Sequence, residues 1–229
     1  MSIANNLKFV HQRIKTAAEK SGRSTKDLQL VAVSKTWPVE NIQEAIDAEQ
    51  IIFGENKVQE ILTKAPQLPE NLEWHLIGHL QKNKIRKVLP LCSSIHSIDS
   101  FGLAQRVDRI AGELDLRPSV LLQVNVSEDP AKFGFMQNEA REHFAELIRL
   151  PNLRIEGLMT VPAFDPDSEK TRPYFGMLRK FRDELSAEFN FPLKHLSMGM
   201  SHDFETAIEE GATLVRVGSS IFGNRNYPA

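Results

Sequence analysis

Cysteine is almost missing: Cys92 is the single one in 229 residues. One thiol excludes an internal disulfide and suits a reducing compartment. It has no companion at metal-ligand spacing, so it reads as a small core residue. An excess of either charge is missing too. Lysine and arginine number 28 against 30 aspartates and glutamates, a net charge of -2 with a pI near 6.4. That balance offers no electrostatic footprint for nucleic acid or an anionic membrane. No stretch of about 18 apolar residues occurs, so no membrane span is expected. The opening residues, MSIANNLKFVHQRIKTAAEKSG, lack the uninterrupted apolar core of a signal peptide. A cytoplasmic protein with no nucleic-acid and no membrane partner is the expectation. Tyrosine is scarce as well, with only Tyr174 and Tyr227, and neither follows a strand-like run.

What the chain does have is alternation. The apolar fraction is 41%, enough for a sizeable core. Ile3, Leu7, Val10, Ile14, Ala17 and Ala18 recur at helical spacing, and Gly22 is placed to stop that helix. After it come eight short apolar runs, at 29–33, 51–53, 74–77, 94–98, 120–126, 155–161, 195–198 and 214–217. Helical patterns separate them, the first begun at Pro38, a favoured first-turn residue. Strands that alternate with helices imply right-handed crossovers and a parallel sheet. Eight such units in about 200 residues predict a closed (β/α)₈ TIM barrel. The last strand has no long helix after it, and the N-terminal helix is the candidate to fill that gap. An open, doubly wound sheet is the alternative. The segment DPDSEK, 165–170, reads as a polar surface loop.

In a barrel, chemistry gathers where strands end. Lys35 ends the first strand, in LVAVSKTWP. A lysine partly desolvated at the rim of a core becomes a better nucleophile toward carbonyls, although a lysine after a strand is most often simply exposed. Glu55, Asn56, His79, Asn125 and Thr160 end later strands. The densest signal is SMGMSHDFETAIEEGATLVRVGSSIFG, 197–223. Gly199 permits close backbone approach, and Ser201 is placed to cap a helix starting near His202. That helix's N–H groups, with Gly218 and Ser219 after the last strand, would form an anion site. Ordinary turn chemistry is the alternative there. Arg216 interrupts the apolar run LVRVG, and strand alternation turns it away from Val215 and Val217. A guanidinium inside a barrel needs acceptors, and a structural ion pair would also supply them. A rim lysine, an anion cradle and a buried arginine together suggest a phosphorylated aldehyde held as a Schiff base.

Other candidates are thinner. His75 and His79 are four apart, would face one side of a strand and could pair, but no third metal ligand accompanies them. Lys82, Lys84, Arg86 and Lys87 form a solvated basic face.

LVAVSKTWP (30–38), FGENKVQE (53–60), WHLIGHLQKNK (74–84), GLMTV (157–161) and SMGMSHDFETAIEEGATLVRVGSSIFGNR (197–225) together resemble the pyridoxal 5′-phosphate (PLP) homeostasis proteins, the YggS/PROSC family. They span nearly the whole chain in order. The resemblance implies one PLP-binding barrel domain over residues 1–229, like the N-terminal domain of alanine racemase. It implies that Lys35 holds PLP as a Schiff base. Ser201, the backbone around Met200, and Gly218 with Ser219 would hold the phosphate. Arg216 would lie against the pyridine nitrogen, with Asn56 and His79 lining the ring's surroundings. Lys132, in AKFGF, matches a lysine associated in the family with transfer or a second site.

The implied function is a monomeric PLP-binding protein of vitamin B6 homeostasis, without catalytic activity, that supplies the cofactor to apo-enzymes. An arginine at the pyridine nitrogen fits holding the cofactor better than using it, because it cannot keep that nitrogen protonated. The alternative is a PLP-dependent amino-acid racemase. Racemisation needs a second base opposite Lys35. The similar racemases take it from a further β domain, and the chain ends at Ala229 without one. A phosphate-binding isomerase or lyase with a Schiff-base lysine is a third reading.

Overall fold

The structure, a computed structural model, describes residues 2–223. Asn224, Arg225 and Tyr227, named above, lie outside the described residues.

The chain opens with helix α1 (Ile3–Lys20). Ser2 caps it by accepting the Asn5 N–H at 3.3 Å, which satisfies one of the unpaired donors of a helix start. The predicted stripe Ile3, Leu7, Val10, Ile14, Ala17 and Ala18 is buried, and Gly22, at φ +68°, turns the chain away. Eight strand and helix units follow: β1 (Gln29–Val33), α2 (Val39–Asp47), β2 (Ile52–Glu55), α3 (Val58–Lys64), β3 (Glu73–Leu76), α4 (Ile85–Val88), β4 (Ser94–Ile98) and α5 (Phe101–Glu113). The second half holds β5 (Ser119–Gln123), α6 (Gln137–Leu147), β6 (Arg154–Met159), α7 (Arg172–Glu188), β7 (His195–Ser197), α8 (Phe204–Glu209), β8 (Leu214–Val217) and the short α9 (Ser219–Phe222).

The strands pair in parallel, in chain order, and β8 closes on β1, with Val31 opposite Arg216. The barrel is therefore a (β/α)₈ TIM barrel, and the open-sheet alternative is excluded. Helix α1 packs against α2, α8 and α9, in the gap left by the missing last long helix. The Arg23 guanidinium, just past α1, donates to the Ile208 and Ala212 carbonyls at 2.8 and 2.7 Å and ties that helix's exit to α8.

Period-two alternation sorts the strands into two cores. Leu30, Ala32, Leu122, Leu158, Val215 and Val217 face outward into the large core under the helices. Val31, Leu121, Met159 and Leu214 face inward and form a small separate core inside the barrel. Burying each large aliphatic side chain contributes about 1.5–3 kcal/mol, so the outer shell carries most of the fold's stability. Arg216 takes the inward direction on β8, as its flanking valines predict.

Three local expectations fail. Pro38 does not begin α2 but precedes it, with Val39 as the first helical residue. The run 120–126 overreaches: β5 stops at Gln123, whose carbonyl accepts the Phe135 N–H, while Phe135 in turn accepts from Asn125. A returning loop takes those backbone partners and ends the strand. His75 and His79 do not share a strand face, because β3 stops at Leu76 and the chain bends at Gly78, whose carbonyl the Ser97 hydroxyl holds at 2.6 Å. Cys92 is buried, and burial pushes its thiol up to about 12, as expected of an inert core residue.

Candidate functional site

The C-terminal ends of the strands surround a cavity of about 660 Å³. Lys35, Asn56, Met200, Ser201, Arg216, Gly218 and Ser219 all line it. Seven of the eight candidate residues thus meet in one place. His79 does not line it. His79 sits on the rim, 2.9 Å from Asp99 through Nδ1 and stacked on the Phe133 ring at 4.5 Å. Lys132 is on the same rim and donates to the Val161 carbonyl at 3.0 Å. Tyr174 lies in the first turn of α7 and packs on the outer core, outside the cavity lining.

Lys35 is half-buried, in the turn after β1. That turn is held from beneath. Ser34 donates its hydroxyl to Glu55 Oε1 at 2.7 Å. Lys64 Nζ donates to the Ser34 carbonyl at 3.0 Å, to Glu55 Oε1 at 2.8 Å and to Glu60 Oε2 at 2.8 Å. Glu60 Oε2 also accepts the Thr36 N–H at 2.6 Å, where Thr36 has the left-handed φ of 69°. Both neighbours of Lys35 are thereby fixed, which sets where its own side chain starts. Burial pushes the Glu55 carboxyl up to about 7, against the pull of Lys64 and Ser34. Glu60 is also partly buried, but hydrogen bonds from Lys64 and Thr36 outweigh that and hold it below the usual range.

The opposite wall comes from the loops after β7 and β8. Gly199 has φ +87°, and a Cβ there would sit 2.6 Å from the Ala207 Cβ, so only glycine fits this close turn. Ser201 does not cap a helix, contrary to expectation: α8 begins at Phe204. Instead Ser201 Oγ accepts the N–H groups of Gly218 and Ser220 at 3.1 and 3.4 Å. With both lone pairs so engaged, its remaining capacity is its O–H donor. The Met200 N–H donates to Asp203 Oδ1 at 2.6 Å. Asp203 was not anticipated, since an acidic residue after a histidine in a loop looks like ordinary surface.

Arg216 forms the floor. Its Nη1 donates to Ser197 Oγ at 2.6 Å and its Nη2 to the Thr160 carbonyl at 2.9 Å. Both acceptors are neutral, and among the described residues no carboxylate lies within ion-pair distance of it. Burial lowers its pKa to about 10, with Asp203 opposing, so it stays charged at neutral pH. Asp203 acts on this cation from beyond ion-pair distance, so the guanidinium, facing the cavity, has N–H capacity left for a ligand. Phe164 and His202, rings 4.6 Å apart, also line the cavity and were missed. An isolated phenylalanine in a polar loop carries no signal in one sequence.

The donor set suits a flat, phosphorylated aldehyde. It offers an amine on one wall, hydroxyl and backbone donors on the other, and a guanidinium between them. The Gly199 turn, which a Cβ would fill, lets the second wall come close.

Residues 5–226 match the family described as alanine racemase, N-terminal domain. The chain is 43% identical over 228 residues to the pyridoxal phosphate homeostasis protein of Aquifex aeolicus, covering 99% of this chain and 100% of that one. It is 42% identical over 237 residues to the pyridoxal phosphate homeostasis protein of Escherichia coli K12, covering 98% and 97%. Among solved structures, PipY of Synechococcus elongatus with PLP bound superposes with a TM-score of 0.86 at 38% identity, covering 97% of this chain and 100% of that one. Alanine racemase of Clostridium difficile superposes at 0.72 with 19% identity, covering 98% of this chain and 60% of that one, a likeness of fold.

Proposed function

The chain belongs to the pyridoxal phosphate homeostasis protein family, and from that premise we propose that it binds PLP at the mouth of its barrel, serves vitamin B6 homeostasis and hands the cofactor to apo-enzymes. PLP supplies an aldehyde that condenses reversibly with a primary amine, releasing water. Lys35 provides the amine. The Glu55–Lys64–Glu60 cluster orients it by holding Ser34 and Thr36. Ser201, through its O–H, and the backbone at Ser219 would receive the phosphate, with the Met200 and Gly218 N–H groups, which Asp203 and Ser201 already engage, bordering it. Asn56 borders the ring, and His79 stands farther out against Phe133. Arg216 meets the ring nitrogen as a donor only, which leaves that nitrogen unprotonated and weakens it as an electron sink. The protein on this reading is a cytoplasmic carrier and not a catalyst.

The observation that carries the proposal is the meeting of Lys35, Arg216 and the loops after β7 and β8 in one cavity. The test is a handover assay. Protein loaded with PLP should activate an apo-enzyme faster than an equal concentration of free PLP, and Lys35→Ala should show no advantage. Equal rates for loaded protein and free PLP would end the delivery reading. Interconversion of D- and L-amino acids at ordinary enzyme rates would replace it with the racemase.

A further inference from the structure

Arg216 is the upper end of a line of buried polar groups that crosses the barrel interior. Arg216 Nη1 donates to Ser197 Oγ at 2.6 Å. Ser197 Oγ lies 2.9 Å from His96 Nδ1, and His96 Nε2 lies 3.1 Å from His75 Nδ1. All four residues are buried, His96 and Ser197 completely. The line runs from β8 through β7 and β4 to β3. It ends at a second cavity of about 210 Å³ at the opposite mouth, lined by His75, Glu73, Ser94, Ser119 and His195 among others.

The arginine fixes the first bond, and satisfying every buried donor fixes the rest. A guanidinium only donates, so Ser197 Oγ must accept from it. Ser197 Oγ has a second lone pair, but accepting from His96 as well would leave the buried Ser197 proton with no partner among the described hydrogen bonds. The arrangement that uses every donor has His96 Nδ1 unprotonated and accepting. His96 carries its proton on Nε2 and donates it to His75 Nδ1, so His75 is also the Nε2–H tautomer. A proton added to either ring would point two donors at each other. The charged and titratable groups around the line agree with neutral rings. His96 is surrounded by His75, Arg216 and His195, and His75 by His195, with Glu73 4.0 Å from its Nε2. Arg216 faces Asp203. Burial pushes both rings down, helped by the neighbouring histidines and, for His96, by Arg216; His75 falls to about 4.

We propose that Ser197, His96 and His75 are positioning residues for the ring-nitrogen end of the bound cofactor, a one-way donor line that locks the Arg216 guanidinium in place. This rests on the PLP reading of the site above. The line fixes where the guanidinium stands and supplies no acidic proton beneath it. The same residues explain why polar side chains occupy positions that barrel interiors usually fill with branched aliphatics.

Two measurements test it. Histidine ¹⁵N spectra of the cofactor-free protein should show the rings of His75 and His96 as Nε2–H tautomers that do not titrate between about pH 5.5 and 8.5, with His75→Asn and His96→Asn assigning the signals. A ring in the other tautomer, or one that titrates in that range, overturns the line as drawn, whatever PLP does. In the loaded protein, Ser197→Ala should make the visible absorbance band of the lysine-bound cofactor pH-dependent and speed PLP release by about tenfold, and Ser197→Thr, which keeps the hydroxyl, should restore both. Thermal unfolding confirms that each variant is folded. An unchanged band and release rate in folded Ser197→Ala overturns the positioning role. No band in the wild-type protein overturns the cofactor reading and the positioning role with it, while the ring tautomers still stand or fall on the first measurement.

Discussion

Two buried polar clusters lie beneath the barrel mouth, and they handle burial in opposite ways. Under Lys35, Glu55 and Lys64 form an ion pair once pH is above about 7, with Glu60 joining from α3. Under Arg216, the two histidines and Ser197 are neutral, and the arginine has only neutral hydrogen-bond partners, with Asp203 acting from beyond ion-pair distance. The first cluster spends its charge internally, apart from one Glu55 oxygen that has no hydrogen-bond partner. The second leaves its charge without an ion-pair partner among the described residues. A paired cluster is suited to hold a backbone turn, and an unpaired cation above neutral groups is suited to meet a ligand. The contrast separates support from recognition within one site.

The largest test of that contrast is removal of a single partner from the paired cluster. Lys64→Met should strand Glu55 in the core and cost about 3–5 kcal/mol of unfolding free energy near pH 8. Changing both, Lys64→Met with Glu55→Leu, should recover most of it, because a buried pair is often replaceable by apolar volume. Denaturant midpoints measure both. A loss below about 1 kcal/mol for the single change would show that the pair is not desolvated as its burial implies.

The next test sets the clusters against each other by pH. For His75 the folded pKa is about 4 against an ordinary 6.5. Above pH 6.5 the ring is neutral folded or unfolded, and its contribution is fully present. As pH falls from 6.5 toward 4, the unfolded chain takes the proton first and stability drops, by about 3 kcal/mol at the lower end. His96 acts in the same direction. Glu55 acts in reverse: with its folded pKa near 7 against 4.5, the native state takes the proton first, and stability rises as pH falls from 7 to 4.5. Unfolding curves from pH 7.5 to 4.5 should therefore be flatter on acidification for His75→Asn and steeper for Glu55→Gln. The same slope in all three proteins would contradict the assignment.

The smallest effect is expected on the rim. His79 is exposed, paired with Asp99 and stacked on Phe133, outside the cavity lining. His79→Ala should change stability by less than about 1 kcal/mol and PLP affinity by less than about threefold. A tenfold loss of affinity would bring His79 into the site itself.

These clusters also mark where the sequence could be read and where it could not. Eight apolar runs in alternation with helical patterns predict the barrel, and Arg216 between two valines predicts its own inward direction. Lys35, Ser201, Gly218 and Ser219 were visible because they end strands. His96 was not visible. It sits in β4, where all five residues are buried, so no alternation distinguishes a polar relay from core filling. Lys64 was hidden as well, because a lysine in the last turn of a helix normally faces water and favours the dipole. The Ser201 expectation failed at a boundary: the chain makes a turn at 201–203 before α8, so its hydroxyl meets the next loop and not a helix end. Pairings across elements decide such cases, and a linear pattern does not carry them.

The central claim is that Lys35 is the residue that holds PLP. Protein incubated with PLP, reduced with borohydride and digested should yield one modified peptide, carrying the cofactor on Lys35, and Lys35→Ala should yield none at the same PLP concentration. Stoichiometric modification at another lysine, or undiminished modification in Lys35→Ala, would contradict it.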